Sequence, residues 1–165
     1  MKEVVRAPAL TRTGYGEHAR FILRGMRQNP DLDIYLIPVN WGQSAWIWED
    51  NEERRWLDEL VHKTAHYQQQ PNASYDISVQ VTIPNEWEKM APLNIGVTAG
   101  IETTKVAPVW LEKANLMDKI IIVSEHSKNV FLNTTYQGTH NQTGQHVTLK
   151  CDTPIEVVHL SLIHI

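Results

Sequence analysis

The run Lys119-Ile120-Ile121-Ile122-Val123 constrains the fold more than any other stretch of this chain. A strand with one face in water alternates apolar and polar residues, whereas a strand covered on both faces reads as a continuous apolar run. KIIIV is of the second kind, and double cover requires helices on either side of a sheet. Helical periodicity is read over Tyr15 to Gln28, with Ala19, Phe21, Ile22, Leu23 and Met26 on the apolar face. It recurs over about Glu52 to Gln69, with Trp56, Leu57, Leu60 and Val61 turned inward, over Val106 to Met117, and from Ser124 to about Asn133. Strand-like runs lie between the helices, at Lys2 to Val5, Asp33 to Val39, Tyr75 to Ile83 and in LNIGVTAG, and two short ones near Val147 to Cys151 and Ile155 to His159. The polar stretch Thr134 to Gln145 reads as loop. This alternation predicts an α/β fold: an open parallel sheet with helices on both faces and Lys119 to Val123 buried near its centre.

A chain of 165 residues supports one domain with a real core. Its 42% apolar and 21% charged residues belong to a globular protein, and a net charge of −4 argues against nucleic-acid binding, which needs a basic surface. No apolar run approaches the roughly 20 residues of a membrane span and no secretory signal opens the chain, so no transmembrane segment and a cytoplasmic location are expected. Cys151 is the single cysteine, which excludes an internal disulfide and a thiolate zinc site. In that setting the sequons at Asn72, Asn133 and Asn141 are read as chance. The last six residues, LSLIHI, back-translate to the start of a transposon-derived sequencing adapter. Residues 160–165 are therefore expected to be a non-native read-through tail, with the domain occupying residues 1–159.

Ligands of open α/β sheets sit beyond the carboxyl ends of the strands. Three segments should meet there along one edge: TRTGYGEHAR after the first strand, TAGIETTK after the fourth and VSEHSK after the fifth. Their glycines, hydroxyls and charged groups, among them Arg12, Glu17, His18, Glu102, Lys105, His126 and Lys128, suit an anionic, hydroxyl-rich ligand. Gly14 and Gly16 around Tyr15, just ahead of a helix, could let backbone amides approach a phosphate. In that case a side chain at Gly16 should hinder ligand more than fold. The alternative is a tight strand-to-helix turn, and Ala19 at the third glycine place departs from the dinucleotide fingerprint. Ser124 is suited to cap a helix, and Glu102 can be a solvated residue near a helix start. His62 and His66 have metal-ligand spacing, but HKTAH lacks the protease glutamate and a third ligand, so a solvated helix face is expected and no metal site. Trp41, Trp46 and Trp48 suit either sugar stacking or packing.

Taken in order, the glycine turn TGYGEHAR and the stretch GIETTKVAPVWLEKANLMDKIIIVSEHSKNVF resemble the N-terminal domain of GT-B glycosyltransferases of the family-4-like group. The likeness spans roughly residues 3 to 135. Where relatives carry V-P-S, this chain has Val123 directly before Ser124 and no proline. The resemblance implies a Rossmann-like, acceptor-side domain that faces a second, donor-binding domain not contained in this chain. It implies transfer of a sugar from a nucleotide-sugar donor to an acceptor, with no cofactor and no essential metal, and an inactive fragment in the absence of the donor half. Gly14, Tyr15 and Gly16 would reach toward the donor diphosphate. Glu102 would be the catalytic group, with His18, Thr103, Thr104, Lys105, Ser124, His126 and Lys128 lining the acceptor cleft. A non-catalytic α/β module that binds a nucleotide or sugar, and a GT-B-shaped sugar-nucleotide epimerase, are the alternatives.

Overall fold

A computed structural model of the chain describes residues 1–41, 43–139 and 144–160. The strands are β1 (Lys2–Ala7), β2 (Asp33–Pro38), β3 (Ile77–Val81), β4 (Leu93–Thr98), β5 (Lys119–Ile122), β6 (Tyr136–Thr139), β7 (His146–Leu149) and β8 (Ile155–Val157). The helices are α1 (Gly14–Arg27), α2 (Glu52–Gln68), α3 (Pro108–Ala114) and α4 (Glu125–Asn133), with a 3-10 turn at Pro84–Glu86. The fold is α/β, with a six-stranded, Rossmann-like open sheet in the order β2-β1-β3-β4-β5-β8. Two compact units make up the chain: Met1–Thr82 with Lys89–Asn94, and Ile83–Glu88 with Ile95–Ile165.

In the first unit β1 lies between β2 and β3, parallel to both, with Val5 opposite Leu36 on one side and Val79 on the other. The chain steps outward from β1 through α1 to β2, then back across β1 through α2 to β3. Right-handed crossovers therefore put α1 and α2 on opposite faces. α1 buries Gly16, Ala19, Arg20 and Leu23, the i, i+3, i+4, i+7 spacing of one helical face. Phe21, read as part of that face, is instead exposed, with the Arg24 guanidinium 5.1 Å from its ring centre. α2 buries Leu57, Leu60, Thr64 and Tyr67 and leaves Trp56 and Val61 half-buried. Asn51 caps α2 by accepting from the Arg54 amide at 2.8 Å. His62 and His66 lie on its exposed side.

In the second unit β5 runs parallel to β4 and β8. Its core gathers Trp87, Leu111, Ile120, Ile122 and Phe131, all fully buried. The Trp87 indole lies flat against β4 at Gly96, where a Cβ would come within 2.7 Å of the ring. Only glycine admits so close an approach. Two expectations are corrected here. First, KIIIV is not central: β5 is next to the three-residue edge strand β8, and while Ile120 and Ile122 are buried, Ile121 is half-buried and Lys119 exposed. The face that carries Ile121 also carries Glu156, its register partner, which pairs with Lys119 at the surface. Second, Tyr136–Thr139 is a strand, paired antiparallel with His146–Leu149. Its residues are mostly exposed, so no apolar alternation marked it; Thr148 Oγ1 donates to Gln137 Oε1 across the pair at 2.9 Å, and the Tyr136 hydroxyl donates to the Val106 carbonyl at 2.8 Å. α3 is also shorter than the helix read over Val106 to Met117, since Pro108 takes its first position and Val106 packs into the core ahead of it. Residues 161–165 of the proposed tail and Asn141 lie outside the described residues.

Candidate functional site

The glycine turn belongs to the first unit. It leaves the carboxyl end of β1 between β2 and β3, where the strand order reverses, and open α/β sheets form their ligand crevices at such points. Residues 8–11 are buried and closed on themselves: the Thr11 amide and hydroxyl both donate to the Pro8 carbonyl, at 2.9 and 2.8 Å. Arg20, 5% exposed, reaches back from α1 and donates to the carbonyls of Ala9 and Thr11, each at 2.8 Å, and to the Glu17 carboxylate at 2.5 Å. These charge-assisted bonds fix the shape of the turn.

The two glycines have different reasons to be there. Neither has positive φ among the described residues. A Cβ on Gly16 would sit 2.7 Å from Thr11 Oγ1 and 2.9 Å from the Pro8 carbonyl oxygen, and closer still to the Thr11 carbonyl. The close approach at Gly16 is thus to the chain's own loop, and the Gly16 amide donates to the capping hydroxyl of Thr13 at 3.0 Å. This corrects the expectation that a side chain there would spare the fold. Gly14 is exposed, and a Cβ on it would meet nothing within 4 Å. Tyr15 is half-buried, edge-on to Trp41 with ring centres 4.9 Å apart.

The tryptophan-rich segment lies beside this turn: the Arg12 amide donates to Ala45 and the Ile47 amide to Leu10, at 2.8 and 2.9 Å. Trp46 forms a bridge with Thr11, Arg12 pairs with Glu49, and Trp48 is 82% exposed. His18 is not an open cleft residue; it is 6% exposed, and its Nδ1 has no hydrogen-bond partner among the described residues. Burial holds this imidazole below its ordinary value, because the charged form loses its hydration. Between the folded and unfolded pKa values the unfolded chain binds the extra proton, so stability declines as pH falls below about 6.5. Urea midpoints at about pH 5 and pH 8 should differ more for the native chain than for His18→Leu; equal differences would show that His18 does not contribute.

The second unit holds a cavity of about 570 Å³ at the carboxyl ends of β4 and β5. The loop after β4 turns at Gly100, whose φ of +83° is the left-handed conformation that favours glycine. A Cβ there would also lie 2.5 Å from Ser127 Cβ, so glycine lets the loop cross the start of α4. Ser124 caps α4, accepting from the Ser127 amide at 3.2 Å and donating to Ser127 Oγ at 3.0 Å. Ile101, Glu102 and Thr103 on one side and Ser124, His126 and Ser127 on the other line the space. Thr103 Oγ1 donates to the Lys105 carbonyl at 2.9 Å. Glu102 is exposed and, among the described residues, its carboxylate and the His126 imidazole are engaged in no hydrogen bond or ion pair. A carboxylate, an imidazole and several hydroxyls around one space can accept a proton from a hydroxyl and hold its neighbours by hydrogen bonds.

Within this unit the fold thus brings together Glu102, Thr103, Ser124 and His126 from two segments separated by about twenty residues of sequence. Thr104 lines a smaller cavity of about 210 Å³ that also touches His126, while Lys105 and Lys128 line neither. Sequence reasoning passed over Arg20, Gly100 as a positive-φ turn, Ser127, Asn129 and Asn133. A glycine directly after an apolar strand was the one available signal for Gly100. No family model, curated protein or solved structure matches the chain.

Proposed function

We propose that the chain is the acceptor-side domain of a cytoplasmic, nucleotide-sugar-dependent glycosyltransferase of GT-B type. The observation that carries this reading is the cavity at the ends of β4 and β5, lined by hydroxyls, an imidazole and Glu102, whose carboxylate is engaged in no hydrogen bond or ion pair among the described residues. Its volume falls within the roughly 300–1,000 Å³ of small-molecule sites. In the proposed reaction an acceptor hydroxyl oxygen bonds to the anomeric carbon of the donor sugar. The bond from that carbon to the diphosphate breaks, and the nucleoside diphosphate leaves with the electron pair. Glu102 takes the acceptor proton, and Thr103 and Ser124 orient neighbouring acceptor hydroxyls. Protein groups neutralise the diphosphate, and no metal is required.

The test is nucleoside-diphosphate release from UDP-, GDP-, ADP- and dTDP-sugars in the presence of EDTA. It uses the longest reading frame that carries these residues. Release that depends on an added acceptor is the expected result. Donor binding without release would favour the non-catalytic module, and epimerised nucleotide sugar without release would favour the epimerase.

A further inference from the structure

We propose that the acceptor groove continues past the larger cavity into a second subsite along α4, and that the acceptor is an uncharged saccharide of at least two rings whose outer ring is held by Asn129 and Asn133. This rests on the reading of the larger cavity as the acceptor site. His126 lines both that cavity and the smaller one of about 210 Å³, whose other walls are Thr104, Asn129, Val130 and Asn133. His126, Asn129 and Asn133 stand at i, i+3 and i+7 of α4, so one face of the helix runs from the first cavity into the second.

The chemistry of the second cavity is specific in what it offers and what it lacks. Among the described residues no hydrogen bond or ion pair of the protein uses the side chains of Thr104, Asn129 or Asn133. Each carboxamide presents two N–H donors and an acceptor oxygen in one plane. A pair of adjacent sugar hydroxyls, each both donor and acceptor, satisfies such a plane with two hydrogen bonds. Val130 adds an apolar wall for the C–H face of a ring. Among the described residues no lysine or arginine lines either cavity, so a phosphate or carboxylate on the outer ring would find no permanent cation there. Neutral polyhydroxyl rings fit both cavities in succession, and His126 marks the junction.

The test follows ¹⁵N-labelled chain by NMR, using the side-chain amides of Asn129 and Asn133 and the backbone amides of Gly100 and Ser127. The probes are methyl β-glucoside, methyl β-galactoside and methyl α-mannoside, each beside a disaccharide: cellobiose, lactose and α-1,2-mannobiose. At least one methyl glycoside should shift Gly100 and Ser127 alone, and its disaccharide should shift all four and bind about fivefold more tightly. In the double variant Asn129→Ala, Asn133→Ala that gain should disappear while the Gly100 and Ser127 shifts persist. Disaccharides that shift only Gly100 and Ser127, with no gain in affinity, would overturn the second subsite and leave the acceptor reading standing. No shift with any saccharide would overturn both. Digalacturonate shifting the two asparagines more strongly than lactose would overturn the uncharged assignment.

Discussion

Gly16→Val is expected to lower stability by about 3 kcal/mol, at the upper end of the cost of forcing a side chain into filled space. For a chain of this length that is a fall of roughly 6–12 °C in Tm. The physical cause is local. The Cβ position is already occupied by the Pro8 and Thr11 carbonyl oxygens and Thr11 Oγ1. Those atoms cannot step aside easily, because Arg20 holds the Thr11 carbonyl and the Pro8 carbonyl accepts twice from Thr11. Gly14→Ala is the control: its Cβ would point into open space at the first turn of α1, and alanine is the better helix former. That change should leave Tm the same or raise it slightly. Thermal melting of both variants checks the pair, and equal losses would mean that the turn responds to loss of glycine flexibility and not to contact.

Glu102→Gln should reduce turnover by about 100-fold or more in a chain that transfers sugar, the usual scale for removing a general base. Glutamine keeps the shape and the hydrogen-bonding capacity but cannot accept the acceptor's proton. Because Glu102 is exposed and engaged in no ion pair among the described residues, the unfolding free energy should change by less than about 0.5 kcal/mol. Donor binding should be unchanged, so the loss should appear in kcat and not in KM. Unaltered kcat would remove Glu102 from the chemistry and leave His126 as the group in the same cavity able to accept a proton.

What could be read from sequence were the features with local causes. Asp-Asn-Glu-Glu and Ser-Glu-His-Ser each place a capping oxygen ahead of a helix, and Asn51 and Ser124 do cap α2 and α4, while the cap of α1 at Thr13 went unread. The strand runs were also local, since β-branched and aromatic residues cluster there, and the alternation with helices was enough for a parallel α/β sheet. That the junctions after β4 and β5 would border one space was legible, because the rule about carboxyl ends depends only on strand direction.

Sequence by itself determined the fold class, the approximate starts of α1, α2 and α4 and the segments from which a site could be built, because caps, turns and periodicity act over a few residues. Tertiary structure alone decided which groups share a space. It buried His18, made Arg20 the clamp of the glycine turn, and gave Gly16 to packing. It set KIIIV beside an edge strand and closed β7 on β6, a mostly exposed strand that carries no apolar alternation. It also ranged Asn129 and Asn133 beside Thr104. Burial and proximity depend on residues far apart in the chain, and no window of local sequence contains both partners of such a contact.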